Sequence, residues 1–216
     1  MRMLSTVVLA ASGAALLASA APAGAATLTA DRACFIESQE IGLTGGGFAP
    51  GAPVSVSGPQ IAVSGNAGPE GVFATPVKAP LLGTLKPTSR TITITATDAT
   101  TNTLGSLDLQ VTTAAFSTST GFRSPRDKRT WKFSGLFQRP GKPIYGHFRN
   151  RGRTYANYRF GVPKGPCGKL TRRAPGIPAR SVPAGLWTVQ VDFSRTYNPK
   201  ASPRLTGDTT VITTFG

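Results

Sequence analysis

The chain has 216 residues with 24 lysines or arginines and nine acidic residues, which gives a formal net charge of +15. Hydrophobic residues make up 39% of it and charged residues only 15%, while 25 glycines and 18 prolines interrupt it throughout. This composition can form packed cores but excludes a coiled coil, a mainly disordered chain and an all-helical enzyme. One histidine and two cysteines leave almost no material for a zinc site.

Residues 1–25 are typical of a secretory signal peptide. Arg2 precedes an apolar, alanine-rich stretch that ends in a run of small residues. We predict cleavage after Ala25, with Ala20 and Ala26 as the alternatives. The stretch is poorer in leucine and isoleucine than a stable membrane span, and no later apolar run is long enough to cross a bilayer. We therefore predict a secreted or extracellular protein, with association at the cell surface as a further option.

Charge divides the remaining chain into two halves. Residues 27–115 carry four basic and six acidic side chains, a net charge of −2. Residues 116–216 carry nineteen basic and three acidic side chains, a net charge of +16. So large a step within one chain predicts two domains, residues 26–115 and residues 116–216.

A short internal repeat favours the same division. Residues 50–54, Pro-Gly-Ala-Pro-Val, recur ninety positions later as residues 140–144, Pro-Gly-Lys-Pro-Ile. Upstream, at the same offset, Ile41 corresponds to Trp131 within an alternating apolar pattern. Each copy therefore predicts a strand, a Pro-Gly turn and a second strand.

Alternation with a period of two predicts strands in both halves. Apolar residues occupy every second position in residues 91–97, 107–112 and 187–193. Glycine, proline, asparagine and aspartate separate these segments at short intervals, which is typical of β-sandwiches. No amphipathic helix follows the signal segment, so we predict an all-β fold of two tandem sandwiches.

Residues 43–56, Leu-Thr-Gly-Gly-Gly-Phe-Ala-Pro-Gly-Ala-Pro-Val-Ser-Val, resemble the opening of bacterial Ig-like domains of the IPT/TIG type. Such domains often have a Gly-x-Gly-Phe-x-Pro-Gly run between their first strands. The resemblance covers the first domain loosely and, in the second, only residues 136–144. The overall plan is similar to that of exported, tandem Ig-like proteins of actinobacteria. The resemblance implies two Ig-like β-sandwich domains that serve as spacers, adhesins or binding modules.

The two cysteines, Cys34 and Cys167, lie one in each predicted domain. In an exported chain, two cysteines most simply form one disulfide, which here would link the domains. The alternative is two separate thiols, one packed within each sandwich.

Residues suited to catalysis are sparse. His147 is the only histidine, no orienting acid or known signature surrounds a pairing with Cys167, and a Gly-x-Ser-x-Gly elbow is missing. We expect His147 on a surface or sheet face and Asp192 in solvent. The glycines 45–47 precede a strand rather than a helix, so they do not indicate a phosphate-binding loop. We predict no enzymatic activity, no metal and no cofactor; a small envelope hydrolase would depend on His147.

The basic second domain is the most informative feature. Arg149, Arg151 and Arg153 alternate around a predicted hairpin tip, and residues two apart on a strand share a face. Nearby tyrosines and Phe148 add flat surfaces for stacking. The predicted anion-binding residues are Arg123, Arg126, Lys128, Arg129, Arg149, Arg151, Arg153, Arg172 and Arg173.

Arginine-rich surfaces suit phosphate and carboxylate ligands, because the guanidinium group binds both in a bidentate manner. Genomic composition alone does not explain the charge, since residues 27–115 contain only two arginines. We predict a non-enzymatic protein of the cell envelope or extracellular space, whose second domain attaches to anionic envelope polymers or acidic glycans. An anionic membrane surface is a further partner, whereas intracellular nucleic acid conflicts with the export signal.

The first domain would then act as a spacer or a protein-contact module. One alternative is a carbohydrate-binding module with an aromatic platform of Trp187, Tyr155 or Tyr158. Another is a purely structural protein without a ligand.

Overall fold

The computed structural model describes residues 25–120 and 124–212 and is all-β, as predicted. The predicted signal peptide lies outside the described residues except for Ala25, and so does Arg123. In the part of the chain that the structure describes, no helix is long and apolar enough to cross a membrane.

Eight strands form the N-terminal sandwich, residues 27–112. They are β1 (Thr27–Ala30), β2 (Cys34–Ile36), β3 (Glu40–Gly46), β4 (Pro53–Gly58), β5 (Ile61–Asn66), β6 (Phe73–Lys78), β7 (Ser89–Asp98) and β8 (Leu104–Thr112). They assemble into two sheets with strand orders β1-β3-β6 and β2-β8-β7-β4-β5. The predicted alternation holds along β7, where Ile92, Ile94 and Ala96 point into the core between the sheets.

Seven strands form the C-terminal sandwich, residues 115–211. They are β9 (Ala115–Thr118), β10 (Lys128–Ser134), β11 (Ile144–Asn150), β12 (Arg153–Gly161), β13 (Leu170–Pro175), β14 (Gly185–Asp192) and β15 (Arg204–Val211). Their sheets have the orders β13-β10-β9 and β12-β11-β14-β15. The core is aromatic: the rings of Trp131 and Phe133 stack on each other, and both contact Phe160.

The two sandwiches share one topology apart from β2, which is an additional edge strand of the N-terminal sandwich. In each, a central strand of the three-stranded sheet (β3 or β10) leads through a Pro-Gly turn to β4 or β11 in the other sheet, and the last two strands form a hairpin. The turns have proline at their second position and a glycine at their third, Gly51 with φ 70° and Gly141 with φ 73°. A positive φ at this position favours glycine, which explains the repeated sequence.

A disulfide between Cys34 and Cys167 joins the sandwiches, which confirms the predicted pairing. Both cysteines are buried. The junction also contains a hydrogen bond of 3.2 Å between the hydroxyl groups of Thr113 and Ser134. Beside it, the backbone N–H of Gly135 donates to the carbonyl of Cys167 at 2.9 Å. Independent folding of the two halves stays a prediction.

A buried carboxylate, Asp98, ties two loops of the N-terminal sandwich together. It accepts backbone N–H groups from Ala49 at 2.8 Å, Thr100 at 2.7 Å and Thr101 at 3.2 Å. The bond from Ala49 is the largest of the effects that lower the pKa of Asp98 from 3.8 to about 2, against burial, which raises it.

We expect the Asp98→Asn variant to lose less folding stability at low pH than the wild-type protein does. Because the pKa of Asp98 is lower in the folded than in the unfolded chain, its charge stabilises the fold above the unfolded pKa. This contribution is lost as the pH falls through the folded value. Urea unfolding from about pH 5 to about pH 2 should therefore show a smaller loss of stability in the variant than in the wild type. Asp108→Asn, on the exposed side of β8, is the control; equal losses in wild type and Asp98→Asn would contradict the assignment.

Candidate anion-binding surfaces of the C-terminal sandwich

The three-stranded sheet carries one basic surface on its outer face. Lys128 lies opposite Pro175, Arg173 opposite Thr130 and Lys132 opposite Thr171, and all three basic side chains are exposed. We term these three basic residues the β10 face. Lys132 was not among the predicted residues, although its spacing of four from Lys128 on a strand places both on one side.

Two other predicted anion-binding residues of this sheet, Arg129 and Arg172, lie at strand positions that belong to the opposite face of the sheet from the β10 face. Arg129 pairs with the buried Ala174 and is partly buried itself; this burial lowers its pKa, whereas the nearby charge of Asp127 raises it. Arg172 pairs with Trp131 but remains exposed because β13 is an edge strand. Arg126 is exposed, and its guanidinium donates to the carbonyl of Arg180.

The predicted hairpin is present, but its arginines do not share a face. Arg151 and Gly152 form the two-residue turn with positive φ values of 46° and 76°. Arg149 lies on the outer face, whereas Arg153 pairs with the buried Asn150. The expectation of one shared face is wrong because the chain reverses between these positions, and the period of two does not continue through a turn.

Asp192 is fully buried, contrary to the expectation that it faces solvent, and His147, which lies on a sheet face as expected, is fully buried as well. They lie on the outer face of the four-stranded sheet, and residues 193–203 fold across them: Gln190 on that face donates to the carbonyl of Asn198 at 2.8 Å. The coverage comes from a connection between β14 and β15, which the alternation of the strand itself does not reveal.

A polar network satisfies these buried groups. Nδ1 of His147 lies 2.7 Å from Oδ1 of Asn157, and Nε2 lies 3.3 Å from Oδ1 of Asp192. Asp192 also accepts from Nε2 of Gln190 at 2.7 Å and from the N–H of Ser194 at 2.6 Å. A catalytic histidine needs one ring nitrogen for its nucleophile or substrate. Both nitrogens of His147 are already engaged, so the network is structural in its present form.

Beside this network lies a polar pocket of about 390 Å³ that the sequence did not predict. Its lining consists of Tyr145, Asn157, Arg159, Arg195 and Thr196, which we term the arginine pocket. Because Oδ1 of Asn157 faces His147, its amide nitrogen is the end of the group that remains for a ligand. Arg159 and Arg195 are 36 positions apart and meet only because residues 193–203 return over the sheet.

Arg149 lies on the same outer face, where two contacts with Tyr197 fix its position. Its guanidinium lies 4.0 Å from the centre of the Tyr197 ring and donates to the Tyr197 hydroxyl at 2.6 Å. Arg149, Arg159 and Arg195 make no ion pair with any carboxylate of residues 25–120 and 124–212. Their positive charge is therefore not neutralised by a neighbouring side chain.

The aromatic residues proposed as a sugar platform belong largely to the core. Trp187 is fully buried, and Tyr155 packs on it with 5.1 Å between ring centres. Tyr158 is half-buried against Phe160. Trp187 therefore cannot stack on a sugar, which corrects that part of the alternative.

No family model and no curated protein matches the chain. Among solved structures, it is similar to a tetra-tandem repeat in the extending region of a large adhesion protein, with 15% identity and a TM-score of 0.31 over 86% of this chain and 48% of that one. It is also similar to Salmonella alpha-2-macroglobulin, in a mutant form and in a form reacted with methylamine. Each has 15% identity over 88% of this chain and 15% of that one, with TM-scores of 0.30 and 0.29. The chain thus spans about half the length of the first structure and a small part of the others.

Proposed function

We propose that this is a non-enzymatic protein of the cell envelope or extracellular space whose C-terminal sandwich attaches to anionic envelope polymers or acidic glycans. The observation that carries this proposal is the concentration of unneutralised positive charge in one half of the chain, with a net charge of +16 in residues 116–216. The N-terminal sandwich, with a net charge of −2 in residues 27–115, acts as a spacer or protein contact.

Three further features support an exported protein of this kind. The disulfide between the sandwiches suits an oxidising compartment. The sequence of residues 1–25 has the pattern of a signal peptide. The all-β fold agrees with the resemblance of residues 43–56 to IPT/TIG-type domains, and the overall plan resembles that of exported, tandem Ig-like proteins.

The placement of the charges suits a polymer better than a single small ion. The arginine pocket and the β10 face lie on the outer sides of the two opposed sheets, so a flexible chain with repeating negative charges contacts both only by passing around the edge of the sandwich, whereas a small ion can occupy only one of them. Each additional contact along the same polymer is intramolecular and raises the overall affinity. The arginine pocket is lined by two guanidinium groups and the hydroxyls of Tyr145 and Thr196, which are hydrogen-bond donors suited to phosphate or carboxylate oxygen atoms.

We expect binding to immobilised teichoic acid to be strong at low salt and to weaken at least about tenfold between about 50 and about 200 mM salt. The double variant Arg159→Gln/Arg195→Gln should weaken binding at low salt by about tenfold, because it removes the two charges that converge on the pocket. Surface plasmon resonance with the intact protein measures both effects.

Lys86→Gln/Arg90→Gln is the matched control, since it removes two exposed positive charges from the N-terminal sandwich. Equal weakening by both double variants would show that only net charge matters and would refute the pocket. No binding at low salt would refute the proposed function. Binding to a neutral glycan that persists at high salt would favour a carbohydrate-binding module instead.

A further inference from the structure

One strand of the N-terminal sandwich has no counterpart among the described strands of the C-terminal sandwich. Strand β2 pairs in parallel with the end of β8, where Phe35 lies opposite Val111. The strand pairings align β8 with β15 at an offset of one hundred residues, so Val111 corresponds to Val211. Within residues 124–212 and β9, no strand pairs with this outer edge of β15.

The chain takes a different path at the equivalent point. After β1 it crosses to the other sheet and forms β2, whereas after β9 it continues beside β10. There the N–H of Ser119 donates to the carbonyl of Thr130 at 3.1 Å. The edge of β15 therefore presents backbone donors and acceptors that a strand can use, as β8 does for β2.

A cleft of about 810 Å³ lies at this edge, between β9 and β15. The apolar side chains that line it are those of Phe116, Trp131, Ile177, Val189, Leu205 and Val211. Two of the most exposed large hydrophobic residues of the described chain, Leu85 at 95% and Ile212 at 81%, stand on its rim. In the N-terminal sandwich the corresponding position is filled by Phe35, which is fully buried.

The positive charge around the cleft favours extended segments that are acidic. Arg129 and Arg204 line it against the single acid Asp208, and the surrounding half of the chain is strongly basic. The β2 segment that fills the equivalent position is itself acidic, because residues 31–40 contain three acids and one arginine. An acidic strand with a large apolar side chain is thus complementary to the cleft in both shape and charge.

We propose that the cleft between β9 and β15 is a strand-acceptor site that binds an extended, acidic segment of a partner protein. The segment pairs in parallel with residues 210–212 and inserts one aromatic or large aliphatic side chain beside Val211. Backbone hydrogen bonds to the strand edge supply affinity, and the inserted side chain supplies specificity.

The test uses the intact protein and a fluorescently labelled peptide of residues 31–40 that carries Cys34→Ser. We expect saturable binding by fluorescence anisotropy. The same peptide with Phe35→Ser should bind about tenfold more weakly, because it lacks the side chain that fills the cleft.

A protein variant tests the backbone pairing. The N–H of Gln110 donates to the carbonyl of Ala33 at 3.3 Å, so the N–H of the corresponding Thr210 points away from β14. Thr210→Pro removes this outward donor and should weaken binding about tenfold, while Thr206→Pro, earlier on the same edge, is the matched control. Circular dichroism checks the fold of both, and the Phe35→Ser comparison decides the question if either variant misfolds.

Three results would overturn the proposal. The first is the absence of saturable binding, and the second is equal binding of a scrambled peptide of the same charge. The third is a dimer in analytical ultracentrifugation that Thr210→Pro dissociates, because a second copy of the chain would then occupy the cleft.

Discussion

Replacing Cys34 and Cys167 with alanine should lower the free energy of unfolding by up to about 5 kcal/mol, the chain-entropy value for a loop of this length. The disulfide spans 133 positions and removes many conformations from the unfolded chain. Urea unfolding followed by tryptophan fluorescence measures the loss, since Trp131 and Trp187 are both buried.

Reductant provides the control for this prediction. Reduced wild-type protein should unfold at the urea concentration of the double alanine variant, and the variant itself should not respond to reductant. A wild-type midpoint that is the same with and without reductant would mean that the two cysteines are not bonded in the purified protein.

Asp192→Ala should destabilise the protein by roughly 2–6 kcal/mol, because each buried donor that loses its acceptor costs about 1–3 kcal/mol and two N–H donors lose theirs. The substitution leaves the side-chain amide of Gln190 and the N–H of Ser194 without this acceptor, and it removes the polar contact of Nε2 of His147, all at a buried site. Thermal or urea unfolding measures the effect.

Asp208→Ala is the matched control, because Asp208 is an exposed acid on the neighbouring strand of the same sheet. It should change stability by less than about 0.5 kcal/mol. In a double-mutant cycle, Asp192→Ala and His147→Ala should be non-additive by about 0.5–3 kcal/mol. Additive effects would show that the two side chains do not interact.

Local patterns predicted the fold because they act over short stretches. The period of two along β7 and the Pro-Gly turns at Gly51 and Gly141 each determine structure within a few residues. The disulfide could be predicted for a different reason: two cysteines in an exported chain can form only one disulfide with each other, and the alternative is two separate thiols.

The site was harder to predict because it depends on chain segments that meet only in the folded protein. Arg159 and Arg195 come together when residues 193–203 fold over the sheet, and the same segment buries Asp192. Counting charges assigns the excess of basic residues to residues 116–216. It did not separate Lys128 from Arg129, which register places on opposite faces of one sheet.

The cystine also determines how the protein responds to mechanical tension. A pull along the backbone passes from residue 34 to residue 167 through the sulfur atoms, so the segment between them, β2 to β12, bears no load. Those 133 positions would otherwise release roughly 450 Å of contour length when stretched. Only β1 and β13 to β15 are left to yield under force. Under a force applied on both sides of the disulfide, this bond therefore limits how far the described chain can extend.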